Sequence, residues 1–228
     1  MKKYLIGFAS SVLLLALSAC STVPSSNAVP EASVGKLQIV AKVRAPEGTL
    51  GGVALNPAEY LKPKFEDSVL GAVKGEISDV NYTSFTLAAG TDEPFSISLA
   101  QSIMTVKVQA STFDTAKEIK VVTTGGYLSP TVKGIYGRPE GDLGTDGVIE
   151  YETAGGSEPP VVGQKVILFL QDSGASIARV APYTVVGSAF GRFTLEEASG
   201  LYSRKIVGLG DSSKFSELDL VGNSLKNQ

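Results

Sequence analysis

Few residues in this chain have side chains suited to catalysis. It contains no histidine and no tryptophan, and its one cysteine is Cys20. Without histidine, the commonest general base, proton shuttle and zinc ligand are missing. A Ser-His-Asp triad, a Cys-His pair and a histidine zinc site are therefore excluded. Carboxylates remain. Two of the 23 acids could run general acid–base hydrolysis of a glycan, but no spacing marks out a pair. Asp142, Asp146, Glu150 and Glu152 lie on a glycine-rich stretch and could offer oxygen ligands to Ca²⁺. Asp142-Leu143-Gly144-Thr145-Asp146-Gly147 lacks the dense acid alternation of a calcium loop, so the plainer reading is a loop kept in solution by its charges. Arg192, in Gly191-Arg192-Phe193, could bind a carboxylate or phosphate through its planar fork. The plainer reading gives Gly191 to a turn, Phe193 to the core and Arg192 to an acid on a neighbouring strand. Gly125-Gly126-Tyr127 could admit a ligand to the backbone, or simply end a strand.

Cys20 has a distinctive setting. Met1-Lys2-Lys3 opens the chain with positive charge, and an apolar run from Tyr4 to Ala16 follows. That is the plan of a secretory signal. The run ends in Leu17-Ser18-Ala19-Cys20. This resembles the lipobox of bacterial lipoproteins, which implies cleavage before Cys20 and lipidation of its thiol, palmitate included. The apolar stretch is shorter than the roughly 20 residues of a membrane span. It breaks at Ser21-Thr22-Val23-Pro24. The resemblance implies a protein held at a bacterial membrane surface by lipid, with more than one acyl chain for stable anchoring. Ser21 is not the aspartate of an inner-membrane retention signal, so the outer membrane is favoured where a cell has two.

Composition narrows the partners. Loss of residues 1–19 removes Lys2 and Lys3 and no acid, leaving 18 bases against 23 acids, a formal charge of −5. A nucleic-acid partner would favour a basic stripe, so none is expected. No intramolecular disulfide can form, and the fold must rest on core burial. Residues 20–35, rich in Ser, Pro and Ala, read as a lipidated tether reaching on the order of 50 Å.

The elements that position any site are expected within residues 36–228, a single mainly-β domain. Strand patterns run through Leu37–Val43, Val69–Val80, Tyr82–Leu87, Phe95–Leu99, Met104–Ala110 and Ile119–Thr124. Val166–Leu170 is continuously apolar, as for a strand buried on both faces, and Tyr183–Val186, Arg192–Leu195 and Arg204–Val207 follow. Short strands separated by Gly, Asp, Asn and Ser predict an antiparallel barrel or sandwich. Helix signals are few: a turn or two at Asn56–Leu61, and a short C-terminal helix through Leu218–Leu225, capped by Ser213 or Ser216 and weakened by Gly222. Gly134–Pro160 holds seven glycines, three prolines and six acids, and reads as a long exposed loop, with Val148–Tyr151 the one stretch able to form a strand.

Gly163–Leu170, Tyr183–Gly187 and Gly191–Leu195, preceded by Val106–Ala110, Ile119–Thr124 and Gly125-Gly126, carry a second resemblance. They look like a loose set of uncharacterised bacterial surface lipoproteins. More distantly, roughly residues 66–210 resemble the OB-like barrel of netrin-type and metalloprotease-inhibitor domains, without their disulfides. The resemblance implies an antiparallel OB-like barrel with additional strands and assigns no catalytic residue. The expectation is a non-enzymatic, lipid-anchored module, without a cofactor, that binds a protein or glycan of the cell envelope. The rival expectation is a carboxylate-dependent hydrolase acting on envelope glycan.

Overall fold

The structure, a computed structural model, describes residues 38–44, 69–89, 95–130, 132, 147–152, 158–174, 180–187, 190–204 and 213–227. The signal, Cys20, the tether and the Asn56–Leu61 turn lie outside the described residues. The strands are β1 (Ile39–Arg44), β2 (Gly71–Ala89), β3 (Phe95–Ser111), β4 (Glu118–Thr124), β5 (Gly126–Leu128), β6 (Val148–Glu152), β7 (Lys165–Asp172), β8 (Tyr183–Val185), β9 (Arg192–Glu196), β10 (Leu201–Arg204), β11 (Ser213–Phe215) and β12 (Lys226–Asn227). One helix, α1 (Glu217–Val221), is described. Ser216 caps it by accepting from the Asp219 N–H, and Asp219 returns the bond to the Ser216 N–H. This reciprocal cap satisfies two donors that the first helical turn leaves open. Gly222 ends the helix with a positive φ of 57°. None of the described helices is long and apolar enough to cross a membrane.

The runs Val69–Val80 and Tyr82–Leu87 merge into β2, and Phe95–Leu99 and Met104–Ala110 merge into β3. The two pair antiparallel along almost their whole length. A hairpin this long must coil to remain part of one core. The coiling comes at two register shifts, one between Lys74 and Gly75 and one between Ile77 and Asp79. Bulges of this kind increase local twist and bend the strand. Gly75 suits the bend: a Cβ there would run into the Lys107 carbonyl and lie 2.8 Å from Val106 Cγ1.

Five strands close a ring in the order β7-β2-β3-β4-β8, with β8 returning to β7. Counted along the chain, the ring therefore runs first, second, third, fifth, fourth. The expected antiparallel pairing holds around it except at closure, where β4 and β8 run parallel through Val121↔Tyr183 and Val122↔Thr184. Inside the ring lie Val73, Ile77, Met104, Val106, Val121, Val166, Leu168 and Leu170.

β7 is the hub. Val166, Leu168 and Leu170 face the barrel core, while Ile167 and Phe169 face a second core with Phe193, Tyr202, Leu220 and Val221. All five β7 residues from Val166 to Leu170 are fully buried, which is why the segment is apolar without alternation. One edge of β7 bonds β2, and the other is shared. Val166–Leu168 pair with β9, and Leu170–Asp172 pair with β8. The changeover falls at Phe169, whose N–H donates to the Gly191 carbonyl and whose carbonyl accepts from Val186, both at 2.9 Å. Gly191 is needed at this fork because a Cβ would sit 2.9 Å from the Val186 carbonyl and 3.1 Å from that of Phe169.

A smaller sheet, ordered β1-β6-β5, adds a third core of Val43, Ala100, Leu128, Val132, Ile149 and Tyr151. This corrects the reading of Gly134–Pro160 as one exposed loop. Its Val148–Glu152 portion is the central strand of that sheet, and Val148, Ile149, Glu150 and Tyr151 are all buried. Pro159 and Pro160 are buried as well. A strand bonded on both edges satisfies its backbone regardless of the glycines that flank it. Residues 133–146 and 153–157, with Asp142 and Asp146, lie outside the described residues.

Candidate functional site: a polar cleft beside the barrel end

The fork at Phe169 sets where Arg192 points. Arg192 pairs with Leu168 across β7 and β9, and opposed residues of an antiparallel pair share a face. Leu168 faces the barrel core, so Arg192 does too, and it is 7% exposed. Burial of a guanidinium is unfavourable unless it is bonded. One bond is made: Nη2 donates to the backbone carbonyl of Glu158. Among the described residues, Nη1 has no hydrogen-bond acceptor. Burial lowers the Arg192 pKa to about 10, and the charge of Glu158 opposes that shift. The group therefore remains a cation at neutral pH.

Tyr82 adjoins it, and Tyr127 adjoins Tyr82. Tyr82 donates its hydroxyl to the Pro160 carbonyl at 2.6 Å, two residues along from the Glu158 carbonyl that Arg192 uses. The Tyr82 and Tyr127 rings meet edge to face, with centroids 5.0 Å apart. Burial raises the pKa of both phenols, Tyr127 to about 12. Together Arg192 and Tyr82 pin the Glu158–Pro160 segment to this end of the barrel.

Outward from Arg192 is a cleft of about 270 Å³ lined by Glu158, Gln164, Arg192, Thr194, Glu196, Ser203 and Arg204. β9 and β10 supply five of these side chains. Thr194 and Ser203 are opposed partners, so both hydroxyls share one face. Arg204, also 7% exposed, sits with its guanidinium carbon 4.9 Å from the Phe193 ring centroid and donates to the Phe190 carbonyl at 3.0 Å. Glu196 forms an ion pair with Lys214 at 2.6 Å. Hydrogen bonds from Lys214 and Ser203 hold its carboxyl below the usual range. Gln164 accepts from the Val161 N–H through Oε1.

Among the described residues, Arg192 is the only one singled out from the sequence that lines this cleft, and Asp142 and Asp146 lie outside the described residues. Gly191 and Phe193 take the turn and core places expected for them, but the partner of Arg192 is a backbone carbonyl rather than an acid on a neighbouring strand. Glu150 lies elsewhere, on β6, with its carboxylate 3.1 Å from Lys42 Nζ. Glu152 ends the same strand. Among the described residues, no three acids come close enough to hold a metal ion. Gly125 and Gly126 leave no room for a ligand. Ser102 donates to the Gly125 carbonyl at 2.7 Å, and a Cβ on Gly126 would lie 3.0 Å from Ser102 Oγ.

Sequence reasoning missed Arg204, Tyr82, Glu158 and Ser203. A hairpin signal was available for two of them. The turn at Glu197–Gly200 between two strand patterns places Thr194 opposite Ser203 and brings Arg204 near the start of β9. Nothing local links Tyr82 or Glu158 to Arg192.

The class defined so far is a mainly-β protein with a closed five-stranded barrel, extra strands and a cleft beside the barrel end lined by two arginines and two glutamates. No protein-family model, no characterised protein and no solved structure matches the chain.

Proposed function

We propose that this protein is a lipid-anchored module of a bacterial cell envelope that binds a ligand in the Arg192 cleft without chemistry. The anchoring half of the reading rests on the sequence of residues 1–20, which resembles a lipoprotein signal ending at Cys20. The binding half rests on one observation above all. Arg192 is a buried cation whose described partner is a carbonyl rather than a carboxylate, at the wall of an open polar cleft. The ring order of the barrel supports reading it as OB-like, an architecture used widely for binding at loops and sheet faces.

The rival reading, a carboxylate-dependent hydrolase of envelope glycan, has one observation in its favour. Glu158 and Glu196 line the same cleft. Such an enzyme needs one carboxyl held protonated by an apolar setting. Glu196 is held ionised by Lys214, and Glu158 is exposed. An ionised Glu196 is not the protonated acid that such hydrolysis needs, so binding is the better reading.

Metabolic lipid labelling and fractionation of wild type and Cys20→Ala test the anchor. Wild type is expected to take up label and sediment with membranes, and the variant to do neither while keeping its folded β spectrum. Unlabelled wild type would overturn the anchoring half. Capture of an envelope component by wild type and its loss in Arg192→Lys would support the binding half. Release of reducing sugar from envelope glycan, abolished by Glu158→Gln or Glu196→Gln, would move the reading to the rival.

A further inference from the structure

We infer that Asn81 is a glycosylation site: its side-chain amide receives an oligosaccharide from a lipid-pyrophosphate donor during export, and the glycan stands on the outer face of β2. The inference goes beyond ligand binding and rests on the export half of the reading above.

The chain has five asparagines, and only Asn81 is followed two places on by a hydroxyl residue with no proline between. Asn81-Tyr82-Thr83 is thus the acceptor pattern for N-linked sugar in an exported chain. Asp79 adds an acid two places before it, in Asp79-Val80-Asn81-Tyr82-Thr83. Bacterial oligosaccharide transfer favours such an acid, which a cation of the transferring enzyme can grip. The fold then puts the whole pattern on one side. Val80 and Tyr82 belong to the barrel core, 7% and 5% exposed. Strand alternation turns Asp79, Asn81 and Thr83 outward, roughly 7 Å from one to the next. Asn81 is exposed, so a substituent on its amide displaces no core side chain.

The surroundings give the glycan a role. From Asp79 to Ala89, β2 pairs only with β3 among the described residues. An open strand edge of this length is a template for pairing with another chain. The outward face beside Asn81 also carries apolar side chains. Ile103 lies opposite Asn81, and Phe85 pairs with Leu99, all three half-buried. A bulky polar substituent at Asn81 hinders the approach of a second chain to both the edge and this face.

The step balances without an oxidant or reductant. Asn81 Nδ2 attacks the anomeric carbon of an oligosaccharide carried on a polyprenyl pyrophosphate. A C–N bond forms and the C–O bond to pyrophosphate breaks. The lipid pyrophosphate leaves with the bonding pair, and the amide gives up one proton to a base of the transferring enzyme. Transfer precedes folding, because in the folded barrel the acceptor backbone is paired to β3 through Asn81↔Ile103.

The test is mass spectrometry of the full chain purified from the cells that make it. Cleavage after Lys74 and Lys107 releases Gly75–Lys107, whose one asparagine is Asn81. Most of that peptide is expected to carry a mass increase of whole sugar units, localised to Asn81 and absent from Asn81→Gln. Should that variant fail to accumulate, Thr83→Ser and Thr83→Val decide: the first is expected to keep the sugar and the second to lose it. Asp79→Ala is expected to lose most of it, and full occupancy there would overturn the role given to Asp79. A bare Asn81, sugar on a serine or threonine instead, or sugar that persists in Thr83→Val would overturn the proposal. Lipid on Cys20, read in the same preparation, separates the two failures. A lipidated chain with a bare Asn81 sinks the glycan alone, and a chain with neither sinks the anchoring reading as well.

Discussion

The Tyr82 hydroxyl reaches 2.6 Å to the Pro160 carbonyl, joining residues 78 apart in the chain. Pro160 is buried, so that carbonyl has no ready access to water. The same short segment carries the Glu158 carbonyl that Arg192 uses. Tyr82→Phe should therefore cost about 1–3 kcal/mol, the penalty for a buried acceptor left without its donor. It should also weaken whatever occupies the cleft, by loosening Glu158. Urea melts of the variant check the first effect. Stability equal to wild type would mean that the bond contributes nothing.

Alkaline pH should expose the same corner. Burial raises the pKa of Tyr82, Tyr127 and Tyr202, with Tyr127 reaching about 12. The folded state thus keeps these protons when an unfolded tyrosine, near pH 10, has lost its own. Their contribution is complete below that value and is lost as pH rises towards about 12. Phenolate absorbance should show most tyrosines ionising near pH 10 and a later step coinciding with unfolding. Tyr127→Phe should reduce that later step. One smooth titration of all tyrosines near pH 10 would contradict the buried placement.

Phe169→Ala should cost about 3–5 kcal/mol, enough to unfold a marginal domain. The ring is fully buried and meets Phe193 edge to face at a centroid distance of 5.8 Å. It also sits where β7 changes partners, so collapse of the cavity would disturb the turn that delivers Arg192. Thermal melts provide the measurement, and an unchanged midpoint would rule out β7 as the hub.

Gly75→Ala should destabilise by about 1–3 kcal/mol or more, as overpacking does. The new methyl meets the backbone of Lys107, which cannot swing aside. A folded variant of wild-type stability would mean that the bulge can slide and that the bend in β2 is not fixed there.

Ile149→Ala should cost about 2–5 kcal/mol, because Ile149 is fully buried in the central strand of the small sheet. Millimolar Ca²⁺ should leave the melting temperature unchanged, since the Glu150 carboxylate is engaged by Lys42. A rise on adding Ca²⁺ would return Glu150 and Glu152 to a metal site.

Several features of this protein follow from its sequence alone. Alternation along Met104–Ala110 specified a strand with one apolar face. The unbroken Val166–Leu170 run specified burial on both faces. Ser216, one of two cap candidates, starts the last helix through local capping chemistry, whereas Gly222, expected only to weaken a helix reaching Leu225, ends it. The missing histidine removed whole classes of reaction. All of these are local properties, carried by side-chain periodicity, backbone conformation or composition.

Partner choice was decided only in three dimensions. The parallel closure of β4 on β8, the place of Val148–Glu152 between β1 and β5, and the meeting of Arg192 with Glu158 and Tyr82 each join distant segments. A strand pattern states which face is apolar but not which strand lies beside it. That is settled by which pairing buries the most apolar surface against the entropy of closing the intervening loops. Arg192 reads in the sequence as one polar residue alternating with core. Only the fork at Phe169 turns it inward and makes it the wall of a cleft.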